Sequence, residues 1–218
     1  MGAYLLRSKS VTYRPRTSID KKQNVMLDRG GSRALAYGPE GACRESAMVP
    51  EKIATFLDGA TVGFGATRDG KLVPQVYFVV GWSCAEDRQA ITCLFPAGRD
   101  EKLISSLEDN GQFSFTVLGS TSGPRASNPP NPGVDFHECY QFKGDYVASR
   151  PGNEGDLPLV RRKGEQFKAL FQPLFGFSER ACTARFRRPV LAVTFKVREI
   201  YDQTPGPGAG ARIREEEG

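Results

Sequence analysis

ATVGFGATRDGKLVPQVYFVVGWSCAEDRQAITCLFPAGRDEKLISSLEDNGQFSFTVL, residues 60–118, is the stretch whose reading decides the fold. Thr61 to Thr67 reads as a strand. Asp69-Gly70 is a two-residue hairpin signal, and Leu72 to Val80 is the return strand, its first half demoted to an edge or bulge by Pro74. After a polar turn from Ser83 to Arg88, Ala90 to Phe95 makes a third strand. Asp100 to Asp109 then sets Leu103, Ile104 and Leu107 on one helical face, with Asn110-Gly111 as its stop. Gln112 to Leu118 alternates, Phe113, Phe115 and Val117 against Ser114 and Thr116, which is the pattern of a half-buried strand.

Outward from this stretch the pattern continues. Upstream, Pro50 and Glu51 suit the first turn of a helix whose Ile53, Phe56 and Leu57 fall at spacings of three and four, closed by Gly59. Downstream, Gly119 to Gly133 is crowded with Ser, Pro, Asn and Gly and reads as a long surface loop, a place for a ligand-covering segment. Tyr140, Phe142 and Tyr146 mark another strand. Leu157 to Phe175 and Ser178 to Phe186 read as helices, the second with Ser178 as N-cap. Pro189 to Ile200 is a last alternating strand with Leu191, Val193, Phe195 and Val197 on its apolar face. A helix, three strands, a helix, two strands, two helices and a strand predict a mainly β, α+β domain curled into a small barrel. Residues 1–45, basic and without sustained periodicity, are expected to be a flexible extension, 46–210 the barrel domain, and 211–218 a charged tail.

With 218 residues, 39% of them hydrophobic, and no apolar run long enough to span a bilayer, the chain is expected to be a soluble cytoplasmic protein with one good-sized core. The first stretch, Met1 to Ile19, has the composition of a transit peptide and equally that of an ordinary basic tail. The formal charge of +5 is uneven: residues 1–50 and 150–198 are basic, 51–149 acidic. Arg161, Arg162, Lys163 and Arg185, Arg187, Arg188 are the dense basic groups. They read as solvated helix faces in preference to a nucleic-acid surface, which would need interleaved aromatics on one basic face. Five cysteines, odd in number and without a C-x-x-C pair, point to free thiols in a reducing compartment, with neither a zinc site nor a disulfide framework. His137 is the single histidine and excludes any mechanism that needs two imidazoles.

Two other signals are set aside. Gly206 to Gly210 has no helix after it to bind an anion, and Gly119-Ser120-Thr121-Ser122-Gly123 lacks the strand-turn-helix of a nucleophile elbow.

Four local patterns carry a resemblance: Ala66-Thr67-Arg68-Asp69-Gly70 with Pro74; Glu101 to Asn110 leading into Gln112 to Val117; Tyr140-Gln141-Phe142-Lys143-Gly144; and Asp202-Gln203-Thr204-Pro205-Gly206-Pro207-Gly208-Ala209-Gly210. In order and spacing the chain resembles the pyridoxamine 5'-phosphate oxidase-like family of FMN-binding split barrels over roughly Glu51 to Gly210. The resemblance implies a split β-barrel, a homodimer, and FMN held in grooves at the dimer interface, its phosphate met by basic and hydroxyl side chains. It places Lys102 at the start of the helix after the third strand, and Thr67 and Arg68 at the end of the first strand, among candidates for the phosphate. Solvated surface charge is the competing reading of Lys102 and Arg68.

The chain also departs from the oxidases. An arginine three residues after the hairpin proline and a lysine five further on are replaced by Tyr77 and Trp82, and the Ser-Arg-Lys run before the helix by Asp100-Glu101-Lys102. These changes count against a vitamin B6 oxidase. Tyr77 and Trp82 become candidates for stacking on a planar ring, against the alternative of plain packing. Gln141 and Lys143 alternate with Tyr140 and Phe142, so both share a strand face and are candidates for a ligand's carbonyls or phosphate, against the alternative of a solvent-facing strand surface. His137 is a candidate proton donor near a reduced flavin.

The expectation is an FMN-binding flavoprotein, an oxidoreductase on an unidentified small molecule, in which the cofactor does the redox chemistry and few catalytic side chains are needed. The alternative is a non-catalytic split-barrel module that holds a flavin, a deazaflavin, haem or another anionic ligand. No membrane or nucleic-acid partner is expected.

Overall fold

The computed structural model describes residues 46–60, 62–98, 100–119, 138–187 and 189–214. In chain order these form helix α1 (Glu51–Gly59), strands β1 (Val62–Arg68), β2 (Pro74–Val79), β3 (Gly81–Cys84) and β4 (Ala90–Pro96), helix α2 (Asp100–Asn110), strands β5 (Gln112–Gly119) and β6 (Glu138–Pro151), helices α3 (Leu157–Phe175) and α4 (Glu179–Thr183), and strands β7 (Val190–Asp202) and β8 (Arg212–Ile213). No helix among the described residues is long and apolar enough to cross a membrane.

All strand pairs are antiparallel, in the order β2-β1-β5-β6-β7-β4-β3, with β8 added on β7. β2 and β3 are one path bent at Val80, whose N–H donates to Leu94 O at 2.8 Å. Its first half pairs with β1 and its second with β4, so the two ends of the sheet are joined through a single strand. The sheet therefore curls shut through this bend, with no ladder between β2 and β4, which is a split barrel.

Side chains at alternate positions fill the interior. Phe113, Phe115, Phe142, Phe195, Trp82 and Phe95 are buried together, and α1 and α2 add Phe56, Leu57, Leu103 and Leu107 to the same cluster. Gly63 and Gly65 make room for these rings: a Cβ on Gly65 would lie 2.7 Å from ring atoms of Phe113 and Phe95. α3 and α4 cover the outer face of the β2–β3–β4 side, where Val80 and Leu94 pack on Val160, and Phe78 meets Phe167 and Phe186 edge-on.

Lys163 of α3 is buried beneath this layer. Its Nζ donates to the carbonyls of Leu57, Asp58 and Ala60 at 3.1, 2.9 and 2.8 Å and sits 4.2 Å above the Trp82 ring. These are orphan carbonyls of the α1 C-terminus, so one ammonium group caps α1 and ties it to α3. Burial first, and the nearby Arg162 charge second, lower its pKa from 10.5 to about 7.

Several expectations are revised. The turn after β1 is not a two-residue hairpin: it runs from Asp69 to Val73, because Asp69 Oδ1 accepts from the N–H groups of Lys71 and Val73 and Leu72 takes a positive φ of 64°. The expected polar turn at Ser83 begins at Ala85, since Gly81–Cys84 pairs with β4 and points Trp82 inward. The helix expected from Ser178 to Phe186 is α-helical only to Thr183 and tightens to a 3₁₀ turn from Ala184 to Arg187; the Ser178 cap on Ala181 N–H is present. Arg212 and Ile213, expected in a charged tail, extend the sheet. The loop read at Gly119 to Gly133 and His137 lie outside the described residues beyond Gly119, as do residues 1–45.

Candidate functional site

With α3 and α4 over one side, the sheet face formed by β1, β5, β6 and β7 is left to a groove of about 790 Å³, within the usual range of small-molecule sites. The register builds it. Ser114 stands opposite Ala66 on β1 and Lys143 on β6, and Lys143 stands opposite Glu199 on β7, so these residues form one transverse row on the outer face. Arg68, two residues beyond Ala66, closes one end. Because strands lie about 4.8 Å apart, the β1 and β6 positions are about 10 Å apart.

Local contacts fix these positions. The Thr67 hydroxyl donates to Gln112 O at 3.0 Å, joining the end of β1 to the start of β5. The Asn110 side-chain amide donates to the carbonyls of Arg68 and Ser106, and its oxygen accepts from Gln112 N–H at 2.8 Å. The C-terminus of α2 thereby holds the backbone that carries Arg68. Ser114 Oγ accepts from Gln141 Nε2 at 3.2 Å, which leaves its own O–H free to donate to a ligand.

A bulge completes the groove. Between Lys143 and Gly144 the pairing with β7 shifts, and Arg198 is the extra residue. Val197 and Ile200 both remain inside, so Arg198 and Glu199 emerge next to one another on the outer face. Arg198 Nε lies 2.9 Å from Asp145 Oδ2, an ion pair whose geometry gives the N–H no directed hydrogen bond. Arg212 of β8 enters from the edge and approaches Glu199 Oε1 at 3.5 Å. Lys143 Nζ rests 4.5 Å from the centre of the Tyr201 ring. Neither Arg68 nor Lys143 has a carboxylate partner among the described residues. Two unpaired cations, two paired ones and the Ser114 hydroxyl over an apolar floor of Ala66 and Pro74 suit a phosphate-bearing ligand with an apolar body.

Of the residues singled out from the sequence, Thr67, Arg68 and Lys143 line this groove, and Gln141 adjoins it through Ser114. Tyr77 does not. It lines a separate cavity of about 480 Å³ between β2, β4 and α4, edge-on to Phe95, with its hydroxyl on Gln75. Trp82 is 2% exposed, with its Nε1–H bonded to Leu57 O at 2.8 Å and its ring covered by Lys163 and Phe115, so it has no face to offer a ligand. Lys102 lies on the exposed side of α2, next to Leu103, which lines the Tyr77 cavity and not the groove. Arg198, Glu199 and Arg212 were not singled out. The bulge shows in the sequence only as a step of three from Val197 to Ile200 where the alternation otherwise steps by two, and the β7–β8 pairing leaves no periodic trace. Burial raises the pKa of the Cys84 and Cys139 thiols, so neither is an activated nucleophile.

No protein-family model matches the chain, and neither does any curated protein. Solved structures similar in fold include HupZ of Group A Streptococcus, at 16% identity over 75% of this chain and 100% of that one with a TM-score of 0.38. Others are an FMN-binding protein of Syntrophomonas wolfei (15%, 68% and 80%, 0.36) and HutZ, a haem storage protein of Vibrio cholerae (12%, 72% and 96%, 0.37). At that distance nothing about this chain's ligand follows from what those proteins bind.

Proposed function

We propose that this chain is a split-barrel module that binds a phosphate-bearing planar ligand in the groove between β1 and β7, with FMN as the first candidate, and that it works as an oxidoreductase on a small molecule. The observation that supports this most is the pair Arg68 and Lys143, cations without carboxylate partners among the described residues, at either side of a groove large enough for a nucleotide. Arg68 and Lys143 would hold the phosphate by charge-assisted bonds, with Ser114 donating a third. The row from Ala66 to Pro74 would carry the apolar ring. Bound FMN would supply hydride or electron transfer, and the protein's part is then to position it and shield it from water. The half-buried outer face of β1, β5 and β6, with Phe64 39% exposed, supports a homodimer as the form in which the groove is covered.

A second reading, binding without catalysis, is favoured by Glu199, the single carboxylate among the described residues that line the groove, being engaged by Arg212 and Tyr201. Among the described residues, no lining residue is then a free proton donor or acceptor of the carboxylate or imidazole kind.

The test is the visible spectrum of the purified protein after mixing with FMN and desalting. Retained flavin absorbance that is lost in Arg68→Ala and Lys143→Ala supports the proposal. Complete release of FMN by the wild type refutes it. Turnover of added NADPH by the flavin-loaded protein separates the oxidoreductase from the carrier.

A further inference from the structure

A carboxylate is out of place in a groove that gathers cations, yet Glu199 lies directly opposite Lys143 on the neighbouring strand. Its two oxygens are engaged on one side only. Oε1 is 3.5 Å from Arg212 Nη1, and Oε2 accepts from Tyr201 Oη at 3.1 Å. Both partners of the ion pair are open to solvent, with side chains 51% and 36% exposed, so the pair is a weak one that a better anion can break.

Arg212 itself does not depend on Glu199 for its place. β8 is held to β7 by backbone pairing at Ile200 with Ile213 and Tyr201 with Arg212, and the connecting loop is closed by Asp202 N–H on Ala211 O at 2.9 Å and Gly210 N–H on Asp202 O at 2.6 Å. Ile213 packs against the main core. When the carboxylate lets go, the guanidinium stays at the edge of the groove, on the same side as Lys143. Glu199→Gln would keep the volume and the acceptor for Tyr201 while removing the charge.

We propose that Glu199 is a placeholder for the ligand's anionic group: it occupies Arg212 until a phosphate monoester enters, and Arg212 then becomes the third cation on that phosphate beside Arg68 and Lys143. This deepens the anion-groove reading above and rests on it. The ligand class it selects is a singly phosphorylated small molecule, because the exchange replaces one carboxylate by one phosphate.

The exchange predicts effects of opposite sign on one pair. Titration of the full-length protein with FMN, followed by flavin fluorescence, is expected to show Glu199→Gln binding about 3- to 5-fold more tightly, the worth of an exposed ion pair. Arg212→Ala is expected to bind about 10-fold more weakly, the worth of one charge-assisted hydrogen bond. Riboflavin, which lacks the phosphate, should bind all three proteins alike. Inorganic phosphate, followed by calorimetry, is the second probe. If the wild type binds no FMN but phosphate shows the same opposition, the flavin reading fails and the placeholder stands. If either probe binds and Glu199→Gln leaves it unchanged or weakens it, the placeholder is overturned whatever the flavin result. Binding of neither probe overturns both.

Discussion

Replacing Lys163 by methionine keeps the apolar stem over Trp82 and removes the ammonium's three bonds to the α1 carbonyls. The carbonyls of Leu57 and Ala60 are buried, while that of Asp58 lies nearer solvent. Leu57 O keeps the Trp82 Nε1–H at 2.8 Å, so Ala60 O is the buried acceptor left without a partner, at a cost of about 1–3 kcal/mol. Against this stands the cost of burying the ammonium charge, and that cost depends on pH. The unfolded chain keeps its proton up to about pH 10.5, whereas the folded protein, with the pKa lowered to about 7, releases it earlier. Between these values the unfolded state binds the extra proton, so stability rises with pH by up to about 1.4 kcal/mol per unit. Below about pH 7 both states are protonated and the full charge-burial penalty remains. Methionine has no such dependence. The stability difference, wild type minus Lys163→Met, should therefore grow by about 2.5 kcal/mol between pH 6 and pH 9. Urea unfolding at both pH values, followed by the fluorescence of Trp82, reads it directly. Other titrating groups cancel in the difference. A difference that stays flat with pH would refute the reasoning, since it would mean that the three carbonyls hold the amine protonated throughout.

Gly65→Ala should lower stability by about 1–3 kcal/mol, because the added methyl meets the Phe113 and Phe95 rings at 2.7 Å, and the loss should appear as a lower urea midpoint at unchanged slope. Asp156, held by Arg150 at 2.7 and 2.9 Å and by the Asn153 N–H, has its pKa lowered by those bonds. Its stabilisation is present above the ordinary carboxylate pKa and is lost as pH falls through the lowered one. Asp156→Asn should cost about 1 kcal/mol at pH 7 and progressively less in acid, and an equal cost at pH 7 and pH 3 would count against the pair. Asn110→Ala, which frees the backbone under Arg68, should weaken FMN or phosphate binding while leaving the far-UV circular dichroism spectrum unchanged.

The strands with clean alternation were legible because period-two burial is a local property: Phe113, Phe115 and Val117 face the core as their spacing predicts. Helices α1 and α2 were legible from their end signals and apolar spacing. The break at Val80 was not, since Val79, Val80 and Trp82 are all buried and the run shows no period to interrupt. Trp82 looked like a ligand-stacking residue from its place after the hairpin. Whether an aromatic faces a ligand or the core depends on what lies above it, and here that is Lys163, some 80 positions away in the chain.

The amino-acid sequence by itself determined the element order and the alternating core, because turn chemistry and side-chain periodicity act over a few residues; strand alternation also singled out Lys143, while Thr67 and Arg68 became candidates through the family resemblance. Tertiary structure decided which candidates meet. Register across β1, β5, β6 and β7 put Arg68, Ser114 and Lys143 on one face, and the bulge at Arg198 turned Glu199 outward beside Arg212. Local alternation fixes the face each side chain takes, but which side chains on that face meet depends on the pairing of strands far apart in the chain, which a short-range pattern does not carry.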